Sequence, residues 1–384
     1  MASFKGIFIF FKNLLKRDIK YASTAPTRAL LFMTYRCTSQ CKMCTIWRRG
    51  REVEVKKELS LDEWKKVIDD LNQMNIDSVE LFGGDSLIRK DVTIPLIKYI
   101  KKINSKIAID LPTNCNLVDK ETAENLIKAG LTRIYVSLDG PADIHDKVRG
   151  VNGTYSRVTT ALKNFVQAKK EMGKKMPFII VNCTVTSSNI NYFEKIIPEL
   201  EKIGVDAVDF EYVGEFKNSN IKNSFVDGIN PTPFYVNSGK SNLLNRKQAV
   251  LLKKKMKDIK KLASKLNIVI STRHMDSLTI DNIVNGTIPN KKCYMSRYLV
   301  TIDPFGNVMG CFHYNNYIMG NVKNESIFSI WNNKKHQKFL KAIKNGDIKI
   351  CENCISGVNR NPTSFQLIHR TLYFAIKRKG FDSP

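Results

Sequence analysis

Long apolar runs are the first feature that this sequence of 384 residues lacks. No run approaches the roughly 20 apolar residues that a helix needs to cross a bilayer, so we expect no transmembrane span. A low-complexity tract and a convincing signal peptide are also missing, because the apolar run from Gly6 to Phe11 is short and Lys12 interrupts it. With 43% hydrophobic residues the chain has enough apolar side chains for a sizeable core, and we expect a cytoplasmic protein.

Acidic residues are scarce: 36 Asp and Glu stand against 62 Lys and Arg, which gives a formal net charge of +26. Such an excess predicts attraction to polyanions, such as nucleic acid, an anionic membrane surface or phosphorylated substrates. A proteome rich in Lys, Asn and Ile would also make many of its chains basic. Charge alone does not choose between these interpretations.

Both ends of the chain are predicted to form basic amphipathic helices, over residues 1–28 and in the stretch 359–384. The first has apolar residues at helical spacing with lysines and an arginine between them. A helix of this type can lie in a membrane interface, which would place the protein peripherally at the inner face of the membrane. Packing of the same apolar stripe on the protein's own surface is an equal alternative.

The nine cysteines do not indicate a set of disulfides, because their number is odd and most of them are clustered. In a long chain without a signal peptide, such clusters favour metal ligation in a reducing compartment. The two clusters are Cys37, Cys41 and Cys44, and then Cys293, Cys311, Cys351 and Cys354.

Strand-like and helix-like segments alternate from Ala29 to about residue 213. Repeated strand–helix units predict parallel strands with right-handed crossovers, and six units predict an α/β fold with a partial (β/α)6, TIM-like barrel. In such barrels the chemistry lies at the carboxyl ends of the strands. The predicted strands are Ala29–Met33, Ser78–Phe82, Ile107–Leu111, Arg133–Leu138, Phe178–Val185 and Ala207–Tyr212.

Two regions follow the predicted barrel domain of residues 29–213. Residues 214–289 are predicted to hold a lid loop over the barrel mouth and a linking helix and strand, because a polar loop of this length is either functional or disordered. Residues 290–358 are predicted to form a small C-terminal α+β domain that carries the second cysteine cluster.

The first cluster, Cys37, Cys41 and Cys44, comes directly after the first strand and has no fourth ligand nearby. A closed zinc site needs four ligands, whereas a [4Fe–4S] cluster held by three cysteines leaves one iron open. Zinc with a remote fourth ligand and three buried structural thiols are the alternatives, and both fit this position less well.

This spacing, Cys-x3-Cys-x2-Cys, resembles the signature of the radical S-adenosylmethionine (SAM) superfamily, with Met43 where the family usually has an aromatic residue. The resemblance implies that SAM binds the open iron and is cleaved to a 5′-deoxyadenosyl radical. Motifs at the next strand ends are also similar to those of the family, and they imply SAM contacts by Gly83, Gly84, Asp85, Asn114, Ser137 and Arg149. This chain departs from the family pattern at Asp85, which is one carbon shorter than the usual acid, and at Cys115, which replaces a glycine.

The second cluster, taken alone, would favour structural zinc, since sites with four cysteines are common for that metal. However, the segments 302–311 and 318–322 resemble the auxiliary-cluster domains called SPASM and Twitch. Because only four cysteines are available in this C-terminal segment, the resemblance implies the shorter Twitch form with one fully ligated [4Fe–4S] cluster. Such a cluster has no open iron and would serve electron transfer.

We therefore expect a radical SAM enzyme that removes hydrogen from an unactivated C–H bond, with a reductant such as ferredoxin or flavodoxin. Net charge and the basic termini favour an anionic or lipid-like substrate. A dehydrogenase of a sugar or cyclitol alcohol and a peptide-modifying maturase are alternatives. The non-enzymatic alternative is a zinc-knuckle protein that binds nucleic acid, which the missing fourth ligand of the first cluster speaks against.

The remaining cysteines, two histidines and two tyrosines are weaker candidates for a functional role. A free cysteine is usually a small core residue, and a single histidine is usually structural. By this argument Cys115, Cys183, His274 and His313 are expected to be structural, although Cys115 could exchange a hydrogen atom. Tyr314 and Tyr317 are weak candidates for a substrate pocket.

Overall fold

The computed structural model describes residues 25–52, 54, 57–236, 240–289, 293–354 and 356. The two predicted terminal helices fall almost entirely on residues 1–24 and 357–384, outside the described residues. Within the described part of the chain, no helix is long and apolar enough to cross a membrane.

One sheet of ten strands organises the described residues, in the order β10-β9-β8-β1-β2-β3-β4-β5-β6-β7. Each neighbouring pair from β1 to β7 is parallel, and β8 pairs parallel with the outer edge of β1. The last two strands, β9 and β10, add an antiparallel hairpin. The strands are β1 (Arg28–Thr34), β2 (Ser78–Gly83), β3 (Ala108–Thr113), β4 (Arg133–Ser137), β5 (Phe178–Val185), β6 (Ala207–Tyr212), β7 (Val269–Ser271), β8 (Leu299–Ile302), β9 (Asn307–Cys311) and β10 (Tyr314–Asn321).

Helices connect these strands and cover the outside of the sheet. In the described residues the α-helices are α1 (Ile46–Arg49), α2 (Leu61–Gln73), α3 (Lys90–Ile103), α4 (Lys120–Ala129), α5 (Ala142–Arg149), α6 (Thr154–Glu171), α7 (Ile197–Ile203), α8 (Asn218–Lys222), α9 (Arg246–Ala263), α10 (Arg273–Asp276), α11 (Ile280–Asn285), α12 (Ile327–Trp331) and α13 (Lys334–Asn345). Short 3₁₀ helices lie at Ser86–Arg89, Phe193–Ile196, Met295–Arg297 and Lys349–Asn353.

Local sequence explains where the first outer helices begin. Ser60 accepts a hydrogen bond from the backbone of Glu63, and Glu63 returns one to the backbone of Ser60, which closes a capping box before α2. Asp119 caps α4 in a similar way, with 2.7 Å between its Oδ1 and the backbone nitrogen of Thr122. The apolar face of α2 is buried against the sheet through Trp64 and its neighbours.

The expected α/β fold with a partial parallel barrel is confirmed, and all six predicted strands are present. Two features extend it. The short segment Val269–Ser271, expected to be part of a linker, pairs with β6 as a seventh parallel strand. Further, β8 to β10 continue the sheet of the barrel. In an open barrel the outer edge of β1 would have unpaired backbone N–H and C=O groups, and β8 forms hydrogen bonds with them.

Candidate metal centres at the barrel mouth

Three cysteines and most of the predicted SAM-binding residues meet in one cleft at the carboxyl ends of the parallel strands. The cleft measures about 1230 Å³, counted out to open solvent. Cys41 is buried, while Cys37 and Cys44 are partly exposed. The predicted residues that line the cleft are Cys37, Cys41, Cys44, Gly83, Gly84, Asn114, Ser137 and Arg149.

The cleft environment strongly disfavours bare thiolates. Burial raises the pKa of the Cys37 thiol to about 12, and burial also raises the pKa of Cys41, although the nearby Arg149 opposes that shift. Cysteine binds metal as the thiolate, so a cation must compensate for the buried negative charge. Three converging thiols with no fourth cysteine lining the cleft fit an iron–sulfur cluster with one open iron.

Hydrogen bonds from the end of β3 hold the start of the cysteine loop. The Asn114 side chain donates to the Sγ of Cys37 at 3.6 Å and to the hydroxyl of Thr38 at 2.9 Å. The backbone nitrogen of Ser39 also donates to the Sγ of Cys37, at 3.4 Å. Asn114 therefore lies against the first ligand of the predicted cluster.

The end of α5 holds the middle of the same loop. The backbone nitrogen of Gln40 donates to the carbonyl of Arg149 at 2.9 Å. The Arg149 guanidinium donates to the Oδ2 of Asp139 at 2.6 Å and approaches the Sγ of Cys41 at 3.7 Å. Asp139 accepts a second hydrogen bond from the backbone of Thr184 at 3.0 Å. Arg149 thus contacts both a buried carboxylate and a predicted cluster ligand.

The Gly83–Gly84 pair lets the chain after β2 approach the chain after β1. The backbone nitrogen of Gly84 donates to the carbonyl of Thr34 at 2.9 Å. A Cβ on Gly84 would collide with the carbonyl oxygen of Arg36, at the residue before Cys37. These glycines are therefore required by the cysteine loop itself, in addition to any contact with SAM.

Asp85 differs from the other predicted SAM-binding residues, because its side chain does not line the cleft. It is buried, and burial raises the pKa of its carboxyl group. Its oxygens accept hydrogen bonds from the hydroxyls of Thr113 and Thr38 and from the backbone of Leu87. The carboxyl group therefore ties β2, β3 and the cysteine loop together, and its contact with SAM stays a prediction.

Sequence motifs did not indicate Glu58, which anchors the start of the cysteine loop. Its fully buried carboxylate accepts hydrogen bonds from the hydroxyl of Thr34 at 2.5 Å and from the guanidinium of Arg36 at 3.1 Å. The guanidinium of Arg89 lies 3.6 Å away. No signal was available in the sequence, since Glu58 belongs to a connecting segment with no motif.

The second set of cysteines is brought together in a separate, mainly apolar cavity. Side chains of α13 cover one side of this cavity through Phe339 and Ile343, and Ile348 and Ile350 complete the apolar lining. Burial raises the pKa of Cys351 well above its usual range, and the other three thiols add to this shift. The four cysteines that line the cavity are Cys293, Cys311, Cys351 and Cys354. Four converging thiols fit a fully ligated cluster.

Side chains that line the two sites contact each other. His313 lines the four-cysteine cavity, and its ring lies 5.4 Å from the ring of Tyr235, which lines the three-cysteine cleft. The imidazole Nε2 of His313 lies 3.4 Å from the hydroxyl of Ser356, another residue of the cleft. His313 is therefore positioned between the sites, which its sequence context did not reveal.

The predicted lid loop packs closely on the cysteine loop. The carbonyl of Phe234 accepts from the backbone of Thr45 at 2.8 Å and from its hydroxyl at 2.7 Å. The ring of Phe234 lies 5.8 Å from that of Tyr35, at the end of β1. Through Phe234 the loop is hydrogen-bonded to Thr45, the residue after Cys44.

The remaining candidates lie away from the cleft. Cys115 and Cys183 are fully buried in the main core, and Cys115 has a φ of 58° where the family pattern has glycine. Tyr314 and Tyr317 pack with Phe339 below the lid loop, outside the cleft. The described structure therefore gives both cysteines and both tyrosines packing roles.

Comparison with family models finds two matches. Residues 31–182 match the radical SAM superfamily. Residues 293–355 match SPASM, described as an iron–sulfur cluster-binding domain. The first match covers β1 to the middle of β5, and the second covers the four-cysteine segment.

Curated relatives share about half of their length with this chain. Fe-coproporphyrin III synthase of Methanosarcina barkeri is 29% identical over 202 residues, which are 53% of this chain and 48% of the relative. A PqqA peptide cyclase of Bradyrhizobium diazoefficiens is 27% identical over 197 residues, 49% of this chain and 48% of the relative. The chain thus spans about half the length of these relatives.

Solved structures resemble this one over most of its length. Streptococcus suis SuiB superposes with a TM-score of 0.61 at 17% identity, covering 94% of this chain and 79% of SuiB. The structure of native anSMEcpe with bound AdoMet gives a TM-score of 0.60 at 18% identity, covering 85% and 88%. At these identities the likeness establishes the fold.

Proposed function

We propose that this chain is a radical SAM enzyme that cleaves SAM reductively and removes hydrogen from an unactivated C–H bond, since residues 31–182 match that superfamily. The observation that carries the proposal is the meeting of Cys37, Cys41 and Cys44 with the ends of β2, β3 and β4 in one cleft. Its cofactors are SAM and two [4Fe–4S] clusters, one at each cysteine site. These cofactors supply the radical chemistry, and the protein supplies their orientation and the exclusion of water.

The residues of the cleft have distinct parts in this function. Three thiolates would hold the cluster that faces SAM. Ser137 and Arg149, at the end of β4 and of α5, are proposed to contact SAM, together with Asn114 and the backbone of Gly83 and Gly84. The hydrogen bond of 2.6 Å to Asp139 fixes the position of the Arg149 guanidinium for this contact. The carboxylate of Asp85 is proposed to act through the loop geometry described above.

The four-cysteine site is proposed to transfer electrons to or from the cleft. Its apolar cavity offers four thiols and no open position, so substrate would not bind there. His313, from the lining of this cavity, contacts Tyr235 and Ser356, from the lining of the cleft. Such proximity supports the passage of one electron between the clusters.

The substrate is left open by these residues. An anionic or lipid-like substrate, and peripheral membrane binding, stay predictions from the net charge of +26. Binding to anionic liposomes, measured for the full chain and for a variant without residues 1–20, tests membrane binding. Binding that is lost in the variant would support it, and no binding by either protein would contradict it. Peptide modification is a second candidate, because one relative is a PqqA peptide cyclase. Oxidation of a sugar or cyclitol alcohol stays an alternative from the Twitch resemblance.

Iron and sulfide analysis of anaerobically reconstituted protein, with dithionite and SAM, tests the proposal. We expect about eight irons per wild-type chain, about four in a Cys37/Cys41/Cys44→Ala variant, and 5′-deoxyadenosine from the wild type only. The matched Cys351/Cys354→Ala variant should lose the other four irons and still form 5′-deoxyadenosine. A colourless protein that holds zinc and forms no 5′-deoxyadenosine would instead support the structural alternative.

A further inference from the structure

The helix α13 carries positive charge on one exposed side. Its sequence contains five lysines and no aspartate or glutamate. Lys334, Lys338 and Lys341 follow one another at intervals of four and three residues, which places them on the same side of the helix, and all three are exposed. The opposite side of the helix is buried through Phe339 and its neighbours. We call the three residues Lys334, Lys338 and Lys341 the lysine face of α13.

The charges of the lysine face are poorly balanced within the described structure. Lys338 forms an exposed ion pair with Asp227 at 3.1 Å, whereas Lys334 and Lys341 form no ion pair with a described carboxylate. Like charges three or four residues apart on a helix repel each other. A cation in the first turn also opposes the helix dipole, and the first turn of α13 contains Lys334 and no acidic residue. An acidic partner would offset both kinds of repulsion.

The buried side of the same helix forms part of the four-cysteine cavity. Phe339 and Ile343 line this cavity together with the cysteines. A Cβ on Gly310 would lie 2.8 Å from the ring of Phe339, so this ring packs directly on the residue before Cys311. Because a helix with its side chains is about 10 Å thick, a protein bound to the lysine face comes within roughly that distance of the cavity.

These observations point to an interaction surface. We propose that the lysine face of α13 docks an acidic carrier protein, which takes one electron from the four-cysteine site. Opposite charges steer the two proteins together, and the docked carrier lies next to the helix that covers the cavity. In this exchange the four-cysteine site is oxidised by one electron and the carrier is reduced by one electron. The inference rests on the proposed function and adds a partner to it.

An anionic membrane and a nucleic acid are the other partners that exposed lysines attract. A helix that binds a membrane inserts apolar side chains between the headgroups, but the apolar side of α13 is already buried in the protein through Phe339 and Ala342. Nucleic acid would be attracted equally by exposed lysines elsewhere, such as Lys254, Lys257 and Lys261 on α9. The position of the lysine face over the four-cysteine cavity therefore favours a redox partner.

The test measures electron transfer from the second site alone. The Cys37/Cys41/Cys44→Ala variant, reconstituted anaerobically, serves as the parent protein because it should keep the four-cysteine cluster only. The parent is reduced with dithionite, freed of excess reductant and mixed with oxidised flavodoxin, an acidic one-electron carrier. The flavin takes one electron from the cluster and one proton from water, and the absorbance of the resulting semiquinone is followed by stopped flow. Binding of oxidised flavodoxin to the oxidised parent is measured separately by calorimetry.

The variant Lys334/Lys338/Lys341→Gln, made in this parent, removes the lysine face. Glutamine is a good helix former, so the variant should fold and hold the same amount of iron as the parent. At low salt we expect the second-order rate constant of transfer to fall by about tenfold or more, and the Kd for flavodoxin to rise by a similar factor. The difference from the parent should shrink at high salt, because salt screens exposed charges.

The matched control is Lys254/Lys257/Lys261→Gln in the same parent. It removes the same charge from α9, a helix that packs on β7, at the other end of the strand order from β10. We expect this control to transfer electrons to flavodoxin and to bind it as the parent does. Oxidised methyl viologen, a small cation that needs no lysine surface, should accept electrons equally from all three proteins.

Several results would overturn the inference. They are equal rates and affinities in the two lysine variants, and the absence of transfer from the parent's cluster to flavodoxin. Binding of nucleic acid or anionic vesicles that only the lysine-face variant loses, with unchanged transfer to flavodoxin, would assign the surface to that partner instead. If the parent holds no iron–sulfur cluster and the wild type forms no 5′-deoxyadenosine, the proposed function itself fails, which is a different outcome.

Discussion

The Arg149 guanidinium joins the Oδ2 of Asp139, at 2.6 Å, to the Sγ of Cys41, at 3.7 Å. A carboxylate just after β4 thereby offsets the positive charge next to a predicted cluster ligand. Since Asp139 also accepts from the backbone of Thr184 on β5, the pair connects the cysteine loop to the barrel at two strands. Its geometry predicts that cluster chemistry depends on a residue that touches no iron.

The first prediction concerns Asp139→Asn. Removing one partner of a buried ion pair leaves the Arg149 charge uncompensated, which costs about 3 kcal/mol of folding stability. We expect Arg149 to move, SAM affinity to fall by about tenfold or more, and the electron paramagnetic resonance signal of the reduced cluster to change. Asp110→Asn is the control, because Asp110 pairs with Arg133 at the opposite end of the strands. That variant should lose stability and keep the cluster signal; equal loss of the signal in both would contradict the prediction.

A second prediction tests the close approach at Gly84. In Gly84→Ala the new methyl group collides with the carbonyl of Arg36, so the cysteine loop must move. We expect about four of eight irons to be lost after reconstitution, together with 5′-deoxyadenosine formation. Gly173→Ala is the matched control for a glycine replaced by alanine. Gly173 has a φ of 59°, but no atom lies within 4 Å of a Cβ at that position. It should cost about 1 kcal/mol and retain all irons.

Phe234 provides a third prediction about the lid loop. Phe234→Ala removes a buried ring that packs on Tyr35, which should lower the free energy of unfolding by about 3 kcal/mol. Because the carbonyl of Phe234 binds Thr45, next to Cys44, the three-cysteine cluster should also bleach faster in air. Phe225→Ala on the same loop is the control, since Phe225 is 51% exposed. Equal bleaching of the two variants would argue against a protective loop.

The fourth prediction is a pH dependence that arises from His145. Burial lowers the pKa of His145 from 6.5 to about 4, and its Nδ1 accepts from the backbone of Asp139 at 3.1 Å. Between these pH values the unfolded chain binds a proton that the folded chain does not, so stability falls as the pH falls. Acidification from pH 7.5 to pH 5.5 should cost about 1 kcal/mol through this residue.

His145→Asn is the variant that isolates this effect. An asparagine Oδ1 can replace Nδ1 as the acceptor for Asp139, but it does not titrate. Anaerobic urea unfolding at the two pH values should show a smaller loss for the variant than for the wild type, by about 1 kcal/mol. The same loss in both proteins would mean that His145 is protonated in the folded state.

Local patterns were sufficient for the six barrel strands and for the cysteines. Strand-like apolar segments located all six predicted barrel strands, and the caps of α2 and α4 at Ser60 and Asp119 depend on residues only three positions apart. Short motifs likewise located the cysteines and most residues of the cleft. The helix α5 was not predicted, because eight residues beside a motif give a weak periodic signal. The continuation of the sheet through β8 was not predicted either, since edge pairing leaves no local trace.

The sequence by itself determined which cysteines are predicted to hold the two clusters, because the number and spacing of cysteines can be read from the chain. Only the tertiary structure decided what surrounds them. Glu58 reaches Thr34 across 24 positions, and His274 reaches Asp209 across 65. A polar side chain that works through such distant partners looks in the sequence like any surface residue.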